Sequence, residues 1–399
     1  MRAVALVDGE HRADVVRDAL AELPYDFVGA ILVGGTEKLE GGEDYGVRMV
    51  ESLDEVPADA VVDLSDEPVL GPRERMLWAS RALAGGLAYV GADFRFDPPA
   101  FLPVPSVPSL AVIGTGKRIG KTAVTGHVAR LLAERGEVVV VSMGRGGPPE
   151  PQVVEVKPTL ERLLEISRAG GHAASDYLET AAVAGVPTIG CRRAGGGLAG
   201  QVFTSNVERG IELAEELGPG IVVFDGSGAA IPPVSVNARV LVIGPGQDPA
   251  AYLNPYRVLI SDLVLLMGGG DADAVRRLRD VSVIEVELRL RPLEPLEGRR
   301  IAVFTAGPAS VDHLDADVAH VSRNLADRAA LRQELAHIEA DAFLVEIKAA
   351  AIDVVAEAAL ERGIECLFAA NEVLPLGDED LDAELISLAE TAMAEAVAG

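Results

Sequence analysis

The chain of 399 residues carries 35 lysines and arginines against 62 aspartates and glutamates, a formal net charge of −27 at pH 7, and 49% hydrophobic residues. That length exceeds one ordinary core, and the apolar content suits an α/β globular protein of two or three domains rather than a disordered chain. The acidic balance excludes nonspecific binding to nucleic acid or to an anionic membrane surface, and it requires any site for an anion to concentrate its basic groups locally.

Short apolar runs alternate with helical patterns, the signature of βα units on a largely parallel sheet. The expected fold is an α/β P-loop nucleotide-hydrolase core with a parallel sheet, flanked by smaller α/β domains. The boundaries expected are 1–105 for a Rossmann-like N-terminal domain, 106–292 for the core and 293–399 for a C-terminal domain. In the first, "VALVD", "VGAILVGG" and "AVVDL" read as strands, with helices over 13–23 and 70–84. "VDGEH" puts Asp8, Glu10 and His11 at a strand end. Asp8 and His11 are candidate substrate-binding residues, although a turn is the simpler reading. The proline cluster "DPPAFLPVPSVPSL" suits a stiff linker.

The core opens with strand "LAVIG" and the loop "GTGKRIGKT", followed by an expected helix over 121–135. Of five lysines in the chain, two are Lys117 and Lys121, with Arg118 between them. Glycines let successive backbone N–H groups turn toward one phosphate, and the helix N-terminus adds partial positive charge. The strict pattern places glycine five residues before Gly120, where Thr115 stands; Gly114 lies one residue earlier. The form resembles the loop of dethiobiotin synthetase and related nucleotide enzymes. Nucleotide contacts are expected from Gly114, Thr115, Gly116, Ile119, Gly120, Lys121, Thr122 and Ala123. Lys121 should neutralise the β- and γ-phosphates, and Thr122 should hold Mg²⁺. "IVVFDGSG" puts Asp225 at a strand end, where a second metal-facing acid is expected.

Two further stretches follow core strands. "SMGRGGPPEP" offers Arg145 for catalysis and Glu150 for catalysis and metal, and in "GCRRAGGGLAG", directly after the strand-like "VPTI", Arg192, Arg193, Gly195 and Gly196 read as a second anion site, with a flexible surface loop the plainer alternative. In "GGHAASDYLE", His172 and Asp176 are candidates to orient substrate or metal, with a helix cap at Ser175 the plainer reading. "NPYRVLISD" offers Tyr256 and Arg257 to a substrate, and Asn371 in "FAANEVLP" could read a purine base. Past "RLRPLEPLEGRR", the last domain is expected to hold strands "IAVFTAG" and "AFLVEI", and helices over 328–338, over 349–362 and from about 381.

Cys191 and Cys366 fit neither a disulfide framework nor a metal spacing, which suits a reducing cytoplasm. No apolar run reaches the length of a membrane span, and the run after Met1-Arg2 is too short for the core of a signal sequence.

Together "ALVDGEH", "VIGTGKRIGKTAV", "MGRGGPPEP", "SDYLE", "TIGCRRAGGG" and "NPYRVLISDLV" resemble the cyclic 2,3-diphosphoglycerate synthetase family, in order from the N-terminus to about residue 262. The resemblance implies a cytoplasmic ligase that uses ATP and Mg²⁺ to close an anhydride between the two phosphates of 2,3-diphosphoglycerate. Lys117, Arg118, Lys121, Arg145, Arg192 and Arg193 would then offset the repulsion between two polyanions. A homodimer is expected, with a small phosphorylated acid as partner and neither nucleic acid nor membrane. Two alternatives stay open: another ATP-dependent ligase or kinase for a small phosphorylated acid, and a non-enzymatic nucleotide switch. Such switches carry a signature lysine where this chain has Gly116, with Lys117 one step late.

Overall fold

The protein, described by a computed structural model, is seen at residues 1–155, 157–169, 175–307, 309–347 and 351–398. His172 lies outside these residues, as does the start of the helix expected over 349–362.

The N-terminal unit is a five-stranded sheet in the order Asp26–Leu32, Arg2–Val7, Ala60–Asp63, Ala88–Val90, Arg95–Phe96. The first four strands are parallel. The order reverses at Arg2–Val7, so a crevice opens beyond the carboxyl ends of Arg2–Val7 and Ala60–Asp63. Helix Pro72–Ala84 then packs on the core through helix Asn254–Leu259.

The core strands run Thr188–Ala194, Val138–Gly144, Ile221–Asp225, Ser109–Gly114, Ala238–Ile243, Leu263–Met267 and Ser282–Pro292, all parallel. Helices cover both faces, which is why these strands are continuous apolar runs rather than alternating ones. Parallel pairing brings every carboxyl end to one edge. Along that edge stand, in order, Arg193, Gly144, Asp225, Gly114 and Ile243.

Two features depart from the sequence expectation. The C-terminal unit does not have a sheet of its own. Strand Ser282–Pro292 pairs antiparallel with Glu365–Pro375, and the sheet continues through Ala342–Glu346, Arg300–Phe304 and Asp317–Ser322. One eleven-residue strand thus serves both units. The last helix, Leu381–Ala398, then returns to the core: Leu381, Leu385 and Ala389 join Leu110, Val112 and Val128 in one buried cluster. His127 Nε2 lies 2.7 Å from Asp382 Oδ1 at that junction.

Candidate nucleotide and anion site

The loop between Gly114 and Lys121 is shaped by close approach. Gly120 takes φ 93°, and a Cβ there would lie 2.6 Å from Met267 Cε. A Cβ on Gly114 would meet Lys121 Cδ at 2.8 Å. Only glycine suits either position without displacement. Ile119 is buried and pins the loop to the core, while Lys117 and Arg118 are exposed at its tip. Lys121, 7% exposed, begins helix Lys121–Ala133, and its Nζ donates to the carbonyl of Gly116 at 2.7 Å. The ammonium therefore lies across the mouth of the loop, where an anion would be bound. Thr122 is half-buried in the same first turn, followed by buried Ala123.

Thr115 donates its backbone N–H to Val242 O at 3.1 Å and its hydroxyl to Gln247 Oε1. Gly244 N–H also donates to that oxygen, at 3.2 Å, and Gln247 Nε2 lies 3.1 Å from where a Cβ on Gly116 would stand. Gln247 thus braces the loop from the neighbouring strand. Nothing in "GPGQDP" signals this, because the contact spans 132 residues.

Asp225, 2% exposed, ends the strand beside the loop strand and accepts a hydrogen bond from Thr125 Oγ1 at 3.1 Å. Burial pushes its carboxyl up to about 7, with nearby Lys121 opposing the rise. Burial also lowers the Lys121 ammonium, which Asp225 and Asp176 partly offset. Residues Thr122 and Asp225 present hard oxygen donors, and the hydroxyl of Ser142, in register with Asp225, is buried with no partner among the described residues. That set fits a hydrated Mg²⁺, which keeps several waters and borrows oxygens from phosphate. Among the described residues no group of three His, Cys, Asp or Glu side chains gathers into a cage.

Arg192 and Arg193 lie within strand Thr188–Ala194, not on a loop. Alternation sends their side chains to opposite faces of the sheet. Arg193 Nη2 donates to Ser227 O at 2.8 Å, on the turn after Asp225, which aims it toward Lys117. Arg192 stands in register with Gly144, the residue before exposed Arg145. Its N–H donates to Asn206 Oδ1 at 2.7 Å, and Asn206 Nδ2 donates to Pro148 O and Pro149 O at 3.1 and 3.0 Å. Asn206 so fastens "RGGPPE" to the arginine strand. Glu150 is exposed beyond this anchor, and Gly195 and Gly196 are exposed past Arg193. The acid that the fold hangs over Gly144 is Asp176.

Other candidates have different places. Arg257, 2% exposed, donates to Leu198 O, Leu253 O and Ala229 O at 3.0, 3.2 and 2.6 Å. Tyr256 is equally buried, between the N-terminal unit and the core. Both are internal braces, which corrects the expectation that they face substrate. Asp8 is also buried. Its Oδ1 accepts from the amides of Glu10 and His11 and lies 2.7 Å from His11 Nδ1, and its Oδ2 accepts from Asp66 N at 2.7 Å. It organises the crevice turn and orients His11. Asn371 donates to Glu346 Oε1 at 2.7 Å, on the strand that joins core and C-terminal unit. The crevice and the nucleotide edge adjoin: Arg73 Nη1 donates to Asp248 Oδ2 at 2.6 Å, one residue past Gln247.

Models of three domains of cyclic 2,3-diphosphoglycerate synthetase match this chain: the N-terminal domain at residues 2–97, the P-loop domain at 109–285 and the C-terminal domain at 292–372. A protein of that name from Rubrobacter xylanophilus is 48% identical, with 98% of each chain covered. One from Thermococcus kodakarensis is 39% identical over 96% of this chain and 98% of its own, and one from Methanothermus fervidus 36% over 98% and 97%. Among solved structures, LpxK from Aquifex aeolicus in complex with ATP overlaps 73% of this chain and 90% of its own, at 14% identity and TM-score 0.45. No helix among the described residues is long and apolar enough to cross a membrane. With its nucleotide loop at the shared strand edge and near-complete coverage by such relatives, the chain belongs to the cyclic 2,3-diphosphoglycerate synthetase family.

Proposed function

We propose that the protein is an ATP-dependent ligase that closes the intramolecular phosphoanhydride of cyclic 2,3-diphosphoglycerate, releasing ADP and phosphate. The observation that carries this reading is the convergence of the Lys117–Lys121 loop with Arg193 over the turn after Asp225. Two polyanions must meet for the reaction, and their mutual repulsion is the barrier that preorganised cations offset.

ATP lies along Gly114–Ala123, its β- and γ-phosphates against the loop amides and Lys121. A bound Mg²⁺, held through Thr122 and Asp225, would neutralise part of the phosphate charge. Lys117 and Arg118 at the tip, with Arg145 and Arg193, hold the phosphorylated acid in line with the γ-phosphate. An oxygen of one substrate phosphate attacks the γ-phosphorus, and the bond to the β-phosphate oxygen breaks as ADP leaves. The neighbouring phosphate then attacks the phosphorus so activated, and the transferred group departs as inorganic phosphate. No nucleophilic side chain is needed; the residues bind, orient and screen charge. His11, held by Asp8, faces the crevice that adjoins this edge and contributes to acid binding. The reading includes a cytoplasmic homodimer.

Release of ADP measured with 2,3-diphosphoglycerate, with 3-phosphoglycerate and with no acid tests this. Release that depends on 2,3-diphosphoglycerate supports the ligase. Equal release with 3-phosphoglycerate points to a less selective kinase, and slow release indifferent to both points to a nucleotide switch.

A further inference from the structure

Two elements bring Ser142 and Asp176 to the same place beside Asp225. Ser142 lies in strand Val138–Gly144, in register with Asp225 on one side and Gly190 on the other. It is 1% exposed, and its Oγ has no hydrogen-bond partner among the described residues. A buried hydroxyl left so is destabilising unless something completes it. Side chains two apart share a sheet face, so Ser142 points to the same side as Gly144. At Gly144 a Cβ would lie 3.0 Å from Asp176 Oδ2, so the carboxylate at the start of helix Asp176–Ala184 overhangs that face. Asp225 points there too, since its carboxylate meets Thr125 of the helix covering that face. Two carboxylates and a hydroxyl with no partner among the described residues therefore lie at the strand edge, on the face covered by the helix that begins at Lys121. Lys121 is near both acids. Its Nζ, however, donates to Gly116 O across the loop.

We propose that Asp176 and Ser142 extend the metal site that the proposed function assigns to Thr122 and Asp225. Asp176 is a second carboxylate for the cation that accompanies the nucleotide, and Ser142 hydrogen-bonds a water on that cation. The inference rests on the reading of the protein as a metal–nucleotide enzyme. It explains why Gly144 lacks a side chain, and why a polar residue follows four valines in this strand. It also moves the carboxylate expected beside Asp225 from Glu150, exposed beyond the Pro148–Pro149 anchor, to Asp176.

Titration of the full-length protein with Mn²⁺ in the presence of ADP, followed by the paramagnetic resonance signal of free Mn²⁺, tests this. Asp176→Asn is expected to weaken Mn²⁺ by about 10- to 100-fold, and Ser142→Ala in the same direction. ADP affinity without metal should stay within about twofold, since neither side chain meets the nucleotide directly. Unchanged Mn²⁺ affinity in Asp176→Asn overturns the proposal. So does an equal loss of metal-free ADP affinity, which would make Asp176 part of the loop's electrostatic frame. Product formation by the wild-type protein, measured separately, shows whether the ligase reading stands when the metal proposal fails.

Discussion

Lys117 and Arg193 flank the same glycine. A Cβ on Gly228 would lie 3.5 Å from Lys117 Cγ and 3.6 Å from Arg193 Nη2. Two cations separated by 76 positions in sequence thus face one small space, on the turn that leaves Asp225. An anion held between them would relieve their mutual repulsion.

Gly228 has φ 63°, so alanine there strains the backbone but fits the space, and Gly228→Ala should cost about 1–2 kcal/mol with most activity kept. Gly228→Val adds branches that drive Lys117 and Arg193 apart. Its turnover should fall at least about tenfold beyond the alanine variant. Thermal unfolding and steady-state rates on both variants separate the two effects.

Removing Lys121 takes away the cation at the mouth of the loop. Lys121→Ala should lower nucleotide-dependent turnover by at least about a thousandfold, as expected where a preorganised charge meets the transition state. Circular dichroism should show the fold retained, and a variant with near-normal turnover would remove the loop from the mechanism.

Arg193→Ala should raise KM for the phosphorylated acid more than KM for ATP. Arg192→Ala should do less, because alternation turns Arg192 to the other face. Equal effects of the two variants would mean that the arginines work together despite their opposite directions.

Arg257 ties Leu198, Leu253 and Ala229 together through their carbonyls. Arg257→Met should lower stability by about 2–4 kcal/mol, since one buried and two part-buried carbonyls lose a charged donor. Urea unfolding measures this, and an unchanged midpoint would restore Arg257 to the list of ligand contacts.

Legibility in sequence followed the distance over which the physics acts. The nucleotide loop was readable because strand, glycines, lysine and helix are contiguous. The helices over 13–23, 70–84 and 121–135 were readable from local pattern, and they form at Ala13–Glu22, Pro72–Ala84 and Lys121–Ala133. Gln247 was invisible because it meets Thr115 across two strands that only the sheet makes neighbours. "CRR" looked like a loop because glycines follow it, yet pairing with Val138–Gly144 extends the strand through both arginines. "NPYR" looked like a site because Tyr and Arg are polar; their burial depends on the N-terminal unit folding onto the core. The last helix was found, but not its return to Leu110 and Val128, which depends on tertiary packing alone.

Acidification should expose the role of Asp8. Burial alone would raise its carboxyl, but the Asp66 amide, the His11 ring and the Glu10 amide outweigh this and hold it below its ordinary value of 3.8. A group depressed on folding stabilises the protein above its unfolded value and loses that contribution as pH falls. The stability gap between wild type and Asp8→Asn should therefore hold above about pH 5 and shrink as pH falls below 3.8. A gap constant across that range would mean that the charge on Asp8 does not matter.

Phosphorus NMR of the purified protein with 2,3-diphosphoglycerate, ATP and Mg²⁺ addresses the central claim most directly. The expected spectrum loses the two phosphomonoester signals of the acid and gains those of a cyclic anhydride, with one ADP and one phosphate appearing per molecule closed. ATP breakdown with the acid unchanged, or an open-chain product bearing an added phosphate, would contradict it.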